Sequence, residues 1–143
     1  MSSMTDVKQR QPSTLFLKFA KRCVDELCSS VAGVNSVVLA SGDGFEVSSV
    51  TNQESFDSGK VAAVSSSILS MVHAFTAEIK LNPCQSFILD SNNGKAIIAH
   101  VPCDNYPMVL MVLTNEKALL GQILHGMRFC TQRLVEGDLK LTS

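Results

Sequence analysis

The sequence predicts a single α+β domain, a five-stranded and mainly antiparallel sheet with helices on both faces, in the order α-β-β-α-β-β-β-α. Three observations carry this expectation. Hydrophobic residues recur with helical spacing in three stretches and with extended spacing in five others. Every link between successive strands is short except the one holding the long central helix, which favours antiparallel neighbours. The run Met108-Val109-Leu110-Met111-Val112-Leu113 shows no polar alternation, as a strand covered on both faces should.

Residues 1–12 are polar and expected to be disordered; they lack the apolar core of a secretory signal. The domain is then expected over 13–136, with a short C-terminal tail over 137–143. Pro12-Ser13-Thr14 supplies a stop and an N-cap for a helix over 15–31. Its apolar positions are Leu15, Phe16, Phe19, Ala20, Cys23, Val24, Leu27 and Val31. On the other face Lys21 with Asp25, and Arg22 with Glu26, are spaced as i,i+4 pairs.

Gly33 ends this helix. Strands over 34–41 and 45–50 flank Gly42-Asp43-Gly44, a tight-turn signal that makes them a hairpin. A polar loop leads to a long helix over 58–81, which Pro83 stops. Three strands follow, over 84–90, 95–101 and 108–114, the first two joined by an Asn93-Gly94 turn. Thr114 or Asn115 can cap a last helix over 116–135, with Gly137 placed to end it.

The chain has 143 residues, enough for one domain with a real core. Net charge is −1 and the pI about 6.3, so no general field attracts nucleic acid or anionic lipid. The longest apolar run, 108–113, is too short to span a bilayer. The five cysteines are odd in number, scattered and mostly set in apolar stretches. They read as free thiols in a reducing compartment, which makes the cytoplasm the expected location.

Chemistry-bearing motifs do not assemble. Gly42-Asp43-Gly44 lacks the third glycine of a dinucleotide fingerprint, since Val47 stands there, and a strand follows where a helix is needed. Gly59-Lys60 is followed by Val61 and has no upstream glycine at phosphate-loop spacing. His125 and Cys130 lie about 140° apart on a helix, and His100 with Cys103 has no second pair to complete a zinc site. Ser65, Ser66 and Ser67 have no nucleophile elbow around them, although His73 and His100 could serve as bases. No catalytic residue, cofactor or metal is therefore expected, and the chain does not read as an enzyme.

Only 17% of residues are charged, against roughly 25% in average chains. The deficit falls in the central helix, where His73 is the one titratable side chain over 61–77. A helix on a sheet normally hides one stripe and shows charge on the other. At about 100° per residue, Val61, Val64, Ser65, Ile68, Met71, Val72, Phe75 and Ile79 share one side, the expected sheet-facing stripe. Opposite fall Gly59, Ala63, Ser66, Ser70 and Ala77, flanked by Ala62, His73 and Ala74. That small, uncharged face allows close approach of a second helix and is the expected contact with another chain.

Taken together, these features resemble the roadblock family of dynein light chains and small-GTPase regulators. The matching stretches are Gly33-Val34-Asn35-Ser36-Val37-Val38-Leu39, then Ser41-Gly42-Asp43-Gly44-Phe45-Glu46-Val47, the Ala/Ser-rich helix over 61–77 and the closing strand and helix over 108–134. The resemblance implies a profilin-like fold and a homodimer, or a heterodimer with a related roadblock chain. The second helices would pack side by side, and the strand over 84–90 would pair across the dimer. The implied interface comprises Gly59, Ala63, Ser66, Ser67, Ser70, His73, Ala74 and Ala77, with Phe87 and Leu89 from that strand.

The family further implies a small Ras-like GTPase as partner, with the chain a cytoplasmic regulator or scaffold, similar to GTPase-activating proteins in role, that neither binds nucleic acid nor inserts in membrane. The alternatives are a profilin-like sensory module that holds a small ligand, and a dynein-type light chain without GTPase contact.

Overall fold

The computed structural model describes residues 12–141; residues 1–11 of the expected N-terminal segment, and 142–143, lie outside the described residues. Eight elements follow the predicted order: α1 (Thr14–Ser30), β1 (Val34–Ser41), β2 (Glu46–Thr51), α2 (Ser58–Glu78), β3 (Ser86–Ser91), β4 (Gly94–Val101), β5 (Met108–Thr114) and α3 (Leu120–Leu141). The strands form one sheet in the order β2-β1-β5-β4-β3, and every neighbouring pair is antiparallel. The long β1-to-β5 separation in sequence is absorbed by α2 and the β3–β4 hairpin.

Alternation along the strands divides the interior into two layers. Val37, Leu39, Ile97, Val101, Met108, Leu110 and Val112 face α1 and α3, where they meet Phe16, Val24, Leu27, Ile123 and Leu134. Val38, Ala40, Ile98, Val109 and Met111 face α2, where Ala62 and Leu69 cover them. The run over 108–113 is thus apolar because β5 is central and covered twice.

The N-cap of α1 is Ser13, whose Oγ accepts from the Phe16 N–H at 3.1 Å and donates to the Leu141 carbonyl at 2.9 Å. That second bond joins the two ends of the described chain. Lys21 pairs with Asp25 at 3.0 Å and donates to the Ser49 carbonyl, tying α1 to β2. Glu26 does not pair with Arg22 as its spacing suggested; it pairs with Arg133 of α3. The tertiary partner is an arginine stacked against Phe19 and Phe129, which a local i,i+4 rule cannot see.

The last helix also departs from expectation at both ends. Asn115 caps a short turn, accepting from the Lys117 N–H at 2.9 Å, and α3 starts only at Leu120. Its far end runs through Gly137 to Leu141, over much of what the sequence assigned to a tail. Gly137 is there for space, since a Cβ would collide with the Phe19 ring. The next residue, Asp138, is fully buried and accepts from the Asn105 backbone N–H at 2.9 Å.

Gly94, which opens β4, has a similar steric reason: a Cβ would overlap the Thr114 carbonyl oxygen of β5. The neighbouring atom is backbone in a central strand and cannot yield cheaply. Gly94→Ala is expected to cost about 3 kcal/mol, read as a lowered urea midpoint with an unchanged m-value.

Candidate functional site: the outer face of α2 and the β3 edge

The central helix is turned about one residue, roughly 100°, from the orientation its large side chains suggested. Ala62, Ser65, Ser66, Leu69 and Thr76 are the buried positions, whereas Val64, Met71, Phe75 and Ile79 are exposed. Met71 and Phe75 each leave more than 60% of their surface to solvent, at 65% and 62%. The sheet-facing side lies between the two stripes and is made of the short residues Ala62, Ser65, Ser66 and Thr76 with Leu69, because the helix lies close to the β1–β2 turn. A Cβ on Gly44 would sit 3.3 Å from the Ala63 Cα, and the Ser66 hydroxyl donates to the Gly42 carbonyl at 2.6 Å. Short side chains permit that approach, and a row of Met and Phe would not.

Of the residues singled out from sequence, Gly59, Ala63, Ser67, Ser70, Ala74, Ala77 and Leu89 lie on exposed positions. Ser66 is buried, and His73 and Phe87 are half-buried. His73 instead points toward the sheet, where its ring meets His100 edge-on with centroids 6.2 Å apart. The pattern missed Val64, Met71, Phe75 and Ile79 as surface residues. The signal for them was present: this helix is apolar nearly all round, so the larger stripe had two possible destinations.

The face continues onto β3, an edge strand with five of six residues exposed. Register places Phe87 opposite Ile98 and Leu89 opposite Ala96, and Ile98 belongs to the layer beneath α2. Phe87 and Leu89 therefore share the α2 side of the sheet. Ile88, exposed on the other side, stands opposite Ile97. An uncovered apolar edge strand is a template for pairing with another chain, and here it adjoins an uncovered apolar helix face.

On the opposite layer, α1 and α3 leave a groove of about 720 Å³ lined by Leu27, Val31, Gly126, Phe129 and the Glu26–Arg133 pair, among others. Among the described residues no buried side-chain N or O lacks a hydrogen-bond partner, so no orphaned polar group waits there for a ligand. No group of three His, Cys, Asp or Glu among the described residues is placed to hold a metal ion. Three thiols are core groups: Cys23, Cys103 and Cys130 are buried and all five cysteines are free. Burial pushes Cys103 up to about 12, helped by the nearby Asp138 and Asp104 carboxylates. Burial likewise takes Cys130 to about 12.

The Roadblock/LC7 domain family matches residues 22–114, more than half of the chain. The chain belongs to that family. No curated protein sequence matches it. Among solved structures it is similar to MglB of Myxococcus xanthus, at 15% identity and a TM-score of 0.81 over 94% of this chain and 97% of that one. It is similar also to an MglB in a tetrameric arrangement, at 12% identity and a TM-score of 0.80 over 92% and 99% of the two chains. Profilin IB of Acanthamoeba castellanii aligns at 12% identity and a TM-score of 0.59 over 81% and 96%. The profilin-like architecture is thereby shown.

The thiols offer a direct check on this packing. A thiol near 12 carries about 10⁻⁴ of its population as thiolate at pH 8. Maleimide at pH 8 is expected to label half-buried Cys84 while sparing Cys103 and Cys130 until urea unfolds the chain, as peptide mapping by mass spectrometry would show.

Proposed function

We propose that the chain is a non-catalytic, cytoplasmic dimeric regulator or scaffold, which binds a small Ras-like GTPase and modulates its GTP hydrolysis. The observation that carries the self-association is the uncovered apolar surface of Met71, Phe75 and Ile79 of α2, with Leu89 of β3 exposed on the same side of the sheet. Burying each of the first three side chains contributes about 2 kcal/mol, which a second copy can supply symmetrically. The tetrameric arrangement of a similar MglB fits a chain that associates with its own kind. Five free thiols fit a reducing compartment.

The GTPase partner is supported by membership of the family and by the likeness to MglB. Helix α2 holds no arginine, so this face has no arginine finger to offer. Stimulation of hydrolysis would proceed by positioning the partner's own switch residues.

Self-association is tested by Phe75→Glu, which places an unpaired charge in the proposed contact. The expected outcome is a shift from dimer to monomer mass in sedimentation equilibrium, with the circular dichroism spectrum unchanged. An unaltered mass would remove α2 from the interface. The partner is tested by presenting the protein to Ras-like GTPases from the same genome, loaded with GDP or a GTP analogue. Nucleotide-dependent retention is expected, and its failure across all of them would leave a light-chain role without GTPase contact.

A further inference from the structure

The arm formed by the end of α2 and by β3 is held to the sheet at a pair of imidazoles. His73 comes from the inner side of α2 and His100 from β4, and their rings meet at 78° with centroids 6.2 Å apart. The His73 Nε2 lies 3.1 Å from the Cys84 carbonyl oxygen. A carbonyl only accepts, so this nitrogen carries a proton and donates. The backbone N–H of His100 donates to the Gln85 carbonyl at 2.9 Å. The two histidines thus fasten adjacent residues at the entry to β3, one to the helix and one to the sheet.

We propose that this pair is a proton-operated clasp, in which charging both rings drives α2 away from β4 and loosens the arm that forms the association surface. The inference rests on the dimer reading for its consequence, though the clasp itself does not. His73 can take its second proton and keep the bond to Cys84, because Nε2 donates in either state. A second charge on the adjoining ring has no such outlet.

The groups around the pair offer no counter-charge. On helix α2 the rest of 61–77 is not titratable, and Lys60 and Glu78 near its two ends are exposed to solvent. The linker presents the Cys84 thiol, which donates to the Ser86 carbonyl at 3.0 Å. β3 and its approach bring neutral Gln85 and Ser86, and β5 brings Val109 opposite His100. From α3, on the other side of the sheet, Arg128 borders the same small cavity as His100. Burial and the neighbouring His73 together hold His100 below the usual imidazole range.

The sign follows from linkage. His100 binds its proton more readily in the unfolded or opened state than in the closed one, so closure is fully favoured above the ordinary imidazole range and is lost as pH falls through it.

The test uses the full chain at pH 7.5 and 5.5, as wild type, His100→Gln and His73→Gln; the last keeps a side-chain N–H for the Cys84 carbonyl. Sedimentation equilibrium should show the wild-type dimer weaker at pH 5.5 than at pH 7.5, and both variants nearly insensitive to pH. In the same samples, NMR of the imidazole protons should show His100 titrating below the ordinary imidazole range, and the amides of 86–91 should exchange faster at pH 5.5 after correction for intrinsic rates. A His100 ring titrating at ordinary imidazole pH, or a pH response kept intact in His100→Gln, would overturn the clasp. A wild type that is monomeric at pH 7.5 would overturn the dimer reading instead, with the NMR titration and amide exchange still deciding for or against the clasp.

Discussion

Strand β5 is apolar on both faces, and the rest of the molecule is arranged to keep both away from water. Met108, Leu110 and Val112 point into the α1/α3 layer while Val109 and Met111 point toward α2. A strand of this kind is stable only at the centre of a sheet covered twice. That demand places β1 and β4 on either side of it and requires helices on opposite faces. With α1 and α3 packed together against one layer, through Phe16, Val24, Ile123 and Leu134, α2 alone remains for the other.

One helix covers less of a five-stranded sheet than two do, and the consequences run through the second layer. Small residues on α2 let it settle close to the sheet, with Ser66 bonded to the Gly42 carbonyl. The helix then packs most closely on β1 and β2 and leaves the edge strand β3 largely uncovered. Its large side chains, Met71 and Phe75, point outward. The same compactness that protects β5 therefore generates an exposed apolar surface of the kind that marks an interaction site. The histidine pair lies at the seam between the well-covered centre and the uncovered edge.

The number, type and order of elements were legible along the chain because they depend on local signals: two periodicities, the Gly42-Asp43-Gly44 and Asn93-Gly94 turns, Ser13 as a cap and Pro83 as a stop. The double covering of β5 could be read as well, since a six-residue apolar run without alternation has few other uses. The family was within reach for the same reason, as its features are an order of elements more than a set of reactive residues.

What the chain alone left open is which way each surface turns. Helix α2 carries a stripe of large apolar residues and a stripe of small ones, and both are chemically able to lie on a sheet. Only the distance between helix and sheet, set by the close approach at Gly44 and Ala63, chose a side between the two, which buries Ala62, Ser65, Ser66, Leu69 and Thr76. Gly137 shows the same dependence: as a local signal it ends a helix, yet beside the Phe19 ring it continues one. Glu26 likewise left Arg22 for Arg133 once α1 and α3 were side by side. Local pattern sets what each segment can be, because capping, turns and periodicity are short-range. Packing decides which face meets which, because that depends on atoms far apart in the chain.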